Sequence, residues 1–140
     1  MKRALIPEQV NEAITSSPFH RLLGLELHEA TDELLTLRLP FQESFVAGDH
    51  VDYIHGGIIA TIIDVAGYYT LFQVLNLPAP TIDLRIDYLR AAKSGDELFA
   101  TATIVKLGRS VSSADIVVVN QDNKKLAVGR GLYSTNQSSK

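Results

Sequence analysis

The sequence has no cysteine, which excludes a disulfide framework, a thiolate nucleophile and a thiolate metal site, and leaves stability to packing and association. It has no basic stripe either. Its 13 Lys and Arg and 16 Asp and Glu are scattered along the chain for a net charge of -3, so nucleic-acid binding is not expected, while a small phosphorylated ligand stays open. An apolar leader is missing too. The basic opening Met1-Lys2-Arg3 meets Pro7 and Glu8 before an h-region can build, so no export signal is read and a reducing cytoplasm is the expected setting. Repeats and low-complexity segments are absent. What is present is 140 residues with 46% apolar content, the size of one compact domain.

Pro7 suits the first position of a helix that Pro18 ends, and Phe19 to Leu23 form another turn closed by Gly24. Leu25 and Leu27, then Leu35, Leu37 and Leu39, alternate around Thr31-Asp32 as a hairpin. A polar loop from Gln42 to Ile54 leads into an apolar helix over Gly56 to Leu75. Strands are predicted over Thr81 to Leu89, Leu98 to Lys106, Val111 to Asn120 and Leu126 to Ser134. In the first of these, Ile82, Leu84, Ile86 and Tyr88 share one face. The organisation reads as a helical segment over 1–23, one α+β domain over 24–135 and a frayed polar tail over 136–140. Apolar residues lie nearly all round the long helix, which calls for a curved antiparallel sheet wrapped about it. A membrane span is rejected, because Asp64 lies within the apolar stretch and no basic cluster flanks it.

Asp64 needs a reason to be on such a helix, since an unpartnered carboxylate there is costly. A hydroxyl or arginine partner would supply one. So would chemistry, because His55-Gly56-Gly57 opens the same helix, and amides at a helix start stabilise a developing oxyanion. Eight residues separate Gly56 from Asp64, about 12 Å along a helix. One chain cannot bring both within about 3 Å of one carbonyl, so a two-fold partner is expected to complete each site.

His55-Gly56-Gly57 followed by Ala60-Thr61-Ile62-Ile63-Asp64, together with Thr81-Ile82-Asp83-Leu84 and Tyr88-Leu89-Arg90, resembles the hotdog-fold acyl-CoA thioesterases of the phenylacetate-degradation (PaaI-like) and acyl-CoA thioesterase 13 type. The likeness runs from about Gly24 to Tyr133. It implies hydrolysis of acyl-CoA in a homodimer, commonly a dimer of dimers, with His55, Gly56 and the preceding loop from one subunit facing Asp64 and Thr81 of the other. Asp64 would be base or nucleophile, the Gly56 amide the oxyanion donor, and Thr81 a hydroxyl beside the attacking water. Many relatives have asparagine at the loop position held here by Asp49. An ionised Asp49 close to Asp64 would raise the pKa of one of them.

Gly57 joins the expected substrate contacts. Arg90, Lys93, Lys106, Arg109 and Ser110 are candidate phosphate contacts, the last two on a Gly108-Arg109-Ser110 turn with free amides. Solvated surface charge is the bland account of each. Tyr68, Tyr69 and Phe72 are candidates to line an acyl pocket, or plain core. Asp49, His50, Asp52 and His55 have metal-ligand chemistry, but a solvated loop explains them better, and neither metal nor cofactor is expected. Two other readings compete: an acyl-CoA sensor without catalysis, and a hotdog hydratase, for which His55 before two glycines is poorly suited.

Overall fold

The computed structural model describes residues 2–136, so the tail expected at 136–140 lies, Asn136 apart, outside the described residues. Two short helices come first. α1 (Pro7–Ser16) starts on proline, with the Gln9 side chain accepting from the Ile6 amide at 3.0 Å. α2 (Pro18–Leu23) is capped by the Ser17 hydroxyl and closed by Gly24 at φ +75°, a left-handed cap that favours glycine. The hairpin follows as β1 (Glu26–Ala30) and β2 (Leu34–Leu39). The Thr31 hydroxyl in its turn accepts from the Glu33 and Leu34 amides, both at 3.1 Å.

The long helix α3 (Gly56–Leu75) has the predicted bounds, and the strands β3 (Thr81–Tyr88), β4 (Leu98–Lys106), β5 (Val111–Asn120) and β6 (Lys125–Ser134) match their expected spans within a residue. One antiparallel sheet of six strands, in the order β1-β2-β4-β5-β6-β3, curves over α3. Alternation explains which side chains meet the helix: Leu35, Leu37 and Leu39 from β2, Leu98, Ala100 and Ala102 from β4, and Ala114, Ile116 and Val118 from β5 are buried. Where helix and sheet approach most closely the residues must be small. A Cβ on Gly129 would stand 2.7 Å from Ile63 Cγ2, and one on Gly67 would stand 2.1 Å from the Tyr133 hydroxyl.

The sheet wraps round α3 without closing: Thr61, Asp64, Tyr68, Phe72 and Leu75, at helical spacing, form a half-open stripe. The apolar face of β3 is likewise only half covered. Leu84 and Ile86 are part-buried, but Ile82 and Tyr88 are 56% and 54% exposed, because β3 is an edge strand bonded only to β6. By length and composition α3 is the one helix among the described residues that could cross a bilayer. Here it is the core of the sheet.

Candidate active site

His55 caps α3 with its own side chain. The Gly57 amide donates to His55 Nδ1 at 2.8 Å, so in the neutral ring Nε2 carries the proton. Gly56, the first helical residue, has no intrahelical acceptor for its amide, and the helix dipole adds positive potential there. Its carbonyl accepts from the Tyr88 hydroxyl at 2.8 Å, tying the start of α3 to the end of β3. The preceding loop is fastened to the same corner by His55 N–H to the Phe45 carbonyl at 2.7 Å and by bridges between Val46 and Ile54 and between Tyr53 and Lys93. A cavity of about 290 Å³ opens here, with Gly56, Tyr53, Ile59, Tyr88 and Arg90 in its wall. Asp49 and His50 lie exposed in the turn of the loop, His50 at φ +67°. Among the described residues no three His, Asp or Glu side chains are grouped to hold a metal ion.

Asp64 lies eight residues farther along α3, about 12 Å from Gly56 by helical rise. The Thr81 hydroxyl donates to Asp64 Oδ1 at 2.6 Å, a charge-assisted bond that fixes the carboxylate. Strict alternation along β3 would turn Thr81 away from α3, to the face of Asp83 and Arg85. The register slips between Thr81 and Asp83, so that Thr81 pairs with Tyr133 while Asp83 pairs with Leu132. This bulge at Ile82 brings Thr81 round to the face of Tyr133, which points at the helix. Tyr133 is fully buried beneath Asp64 and donates to its backbone carbonyl at 3.0 Å. Burial, and then the charge of Asp64, push the Tyr133 phenol well above its ordinary range.

A second cavity of about 290 Å³ faces Asp64, and Tyr68 is in its wall. Ser17 and His20 of α2, which the motif gave no reason to single out, line it too. The chain thus holds two separate candidate half-sites, one around Gly56 with His55, Gly57, Tyr88 and Arg90 and the other around Asp64 with Thr81 and Tyr68.

Arg109 and Ser110 belong to neither. They line a larger cavity of about 630 Å³ with Leu75, at the far end of α3, about 16 Å from Asp64 by helical rise. The expected free amide of Gly108 is taken up: it donates to Ser112 Oγ at 3.0 Å, and its carbonyl accepts from Thr135 at 2.8 Å. A Cβ on Gly108 would strike the Val111 carbonyl oxygen at 2.2 Å. The larger volume therefore does not mark the site, because it lacks the paired carboxylate and the helix-start amide.

The thioesterase superfamily model matches residues 51–127, which include both half-sites. A Halobacterium salinarum protein carrying an esterase name is 36% identical over 122 residues, 79% of this chain and 80% of its own. The medium/long-chain acyl-CoA thioesterase of Escherichia coli is 30% identical over 131 residues, 83% and 84% of the two chains. Among solved structures, the E. coli PaaI protein from the phenylacetic acid degradation operon superposes with a TM-score of 0.82 at 26% identity, covering 91% of each chain. With its long helix held in a curved six-stranded antiparallel sheet, the chain belongs to the thioesterase superfamily and has the hotdog fold.

Proposed function

We propose that the protein hydrolyses acyl-CoA to the free acid and CoA, at two equivalent sites shared between the subunits of a homodimer. The observation that carries this reading is the Thr81–Asp64 bond at 2.6 Å facing a chamber, about 12 Å along a rigid helix from the Gly56 amide. A carboxylate held by a hydroxyl and an amide with no helical acceptor are the two groups that thioester hydrolysis needs. Their separation calls for a second chain. Support for association comes from the edge of β3, where unpaired backbone groups run from exposed Ile82 near Asp64 to exposed Tyr88 and Leu89 beside the Gly56 corner. The relative named as a medium/long-chain acyl-CoA thioesterase supports the choice of substrate.

In the proposed reaction the thioester carbonyl oxygen points at Gly56 N–H of one subunit, and its carbon faces Asp64 of the other. Asp64, oriented by Thr81, accepts a proton from water as the hydroxide oxygen bonds to the carbonyl carbon. The Gly56 amide and the start of α3 stabilise the oxyanion. Its collapse breaks the carbon–sulfur bond, and the CoA thiolate takes up the proton that Asp64 had accepted. Direct attack by Asp64 would give the same products through an anhydride. In a single turnover in ¹⁸O-labelled water, label in the protein identifies attack by Asp64 with water opening the anhydride at the Asp64 carbon. Arg90, beside the Gly56 cavity, is placed to meet a phosphate of CoA in this scheme.

The test is thiol release from short, medium, long and aryl acyl-CoAs, which the absence of cysteine leaves free of protein background. Wild type should turn over part of the panel, and Asp64→Ala and Asp64→Asn should lose that turnover while the oligomer persists. Intact acyl-CoA across the whole panel would refute the enzyme and favour an acyl-CoA sensor.

A further inference from the structure

The chamber facing Asp64 has one wall that the thioesterase motif does not use. α2 contributes Ser17 and His20 to it, opposite Val65, Tyr68 and Tyr69 of α3. The corner between α1 and α2 is held there by side chains that take up the open carbonyls at the end of α1. Tyr69 donates to the Ala13 carbonyl at 3.3 Å, His20 Nδ1 meets the Ile14 carbonyl at 2.9 Å, and Arg21 donates to the carbonyls of Thr15 and Ser16, both at 2.9 Å. A carbonyl only accepts, so Nδ1 of His20 carries the proton. In the neutral ring Nε2 is then a bare acceptor. The imidazole also packs edge-on to Tyr69, with ring centroids 6.0 Å apart.

An imidazole acceptor in a wall shared with Ser17, Val65, Tyr68 and Tyr69 discriminates between ligands. A plain alkyl chain filling the chamber displaces water from Nε2 and leaves it without a partner, whereas a chain bearing a hydroxyl replaces the lost bond. Tyr68 and Tyr69 follow Asp64 by four and five residues, roughly 6 to 8 Å along the axis. The group read by His20 is therefore several carbons removed from the thioester. We propose that His20 is a specificity-determining residue which selects acyl groups carrying a hydroxyl several carbons from the thioester. This rests on the thioesterase reading and adds to it a substrate feature and the residue that detects it.

The experiment compares kcat/KM for medium-chain acyl-CoAs with that for their counterparts hydroxylated several carbons from the thioester, in wild type, His20→Asn and His20→Phe. The asparagine amide can still donate to the Ile14 carbonyl but has no equivalent of Nε2; phenylalanine keeps the packing on Tyr69 and loses both nitrogens. Wild type should favour the best hydroxylated member about 5- to 10-fold. In both variants the ratio should fall close to one, with thermal melting of His20→Asn near that of wild type. Equal wild-type rates within every pair would overturn this proposal and leave the thioesterase reading standing. So would a preference that survives in both variants, including the case where both substrates slow equally because His20 merely caps α1. No turnover of any member would overturn both readings.

Discussion

Two disabled chains should restore one another when mixed. Gly56→Pro removes the amide hydrogen and changes little else. Gly56 is the first residue of α3, where proline is at home, and His55 before it already has the extended ψ of 133° that a following proline requires. A Cβ at position 56 would touch the Tyr88 hydroxyl at an ordinary 3.4 Å. Loss of one oxyanion donor lowers kcat by about 10²- to 10³-fold. Asp64→Asn keeps the size and the acceptor for Thr81 and removes the basic oxygen, which should cost about 10²- to 10⁴-fold. Random pairing makes about half of the dimers mixed, and each mixed dimer has one intact site, joining Gly56 of the Asp64→Asn chain to Asp64 of the Gly56→Pro chain. Recovery should therefore reach about a quarter of wild-type activity in the unfractionated mixture and about half in the isolated mixed dimer, well above either parent. Co-expression under two affinity tags, isolation of the doubly tagged dimer and thiol release measure it. A mixed dimer no more active than its parents would refute the shared site and the 12 Å argument with it, about eight helical rises of 1.5 Å.

Thr81→Val removes the hydroxyl bonded to Asp64 at 2.6 Å and should lower kcat about 10- to 100-fold with KM little changed, while Thr81→Ser retains most activity; steady-state kinetics on one acyl-CoA decide it. Gly67→Ala drives a methyl to 2.1 Å from the hydroxyl of fully buried Tyr133 and should destabilise the fold by about 1–3 kcal/mol, read as a lower urea midpoint at constant m. Alkali should weaken the protein. Burial, and secondarily the neighbouring Tyr68, push the Tyr69 phenol up to about 12, against about 10 in an unfolded chain. The native state keeps protons that the unfolded state releases, so this contribution is whole below pH 10 and is lost as pH rises through 12. Urea titrations at successive alkaline pH values should show the decline, and Tyr69→Phe should make it shallower.

The elements were legible because their signals are local. Alternation over Leu35 to Leu39, the proline and glycine limits of α1 and α2, and the continuous apolar run from Gly56 to Leu75 each need only a few neighbouring residues to be read. The helix-start amide at Gly56 was legible for the same reason, since it is a property of the backbone. What escaped the sequence depends on register and on contacts between distant segments. Alternation along β3 puts Thr81 on the outer face, and only the slip at Ile82 turns it to Asp64. The family resemblance named Thr81 correctly as a neighbour of Asp64, but periodicity alone would have rejected it. Ser17 and His20 reach the same chamber because side-chain bonds to the last carbonyls of α1 fold α2 over it, and no spacing in the sequence announces that. Arg109 and Ser110 show the same dependence: their chemistry suits phosphate, and the turn that carries them lies at the far end of α3 with its Gly108 amide spent on Ser112. Residue type is thus a sound guide to what a group can do, whereas its neighbours are set by strand register and by which helix end it lies near. The open stripe on α3 follows from the same distinction: its apolar residues ask for cover, and one curled sheet supplies it on one side only, which leaves the strip bearing Asp64 for a second chain in the shared-site reading.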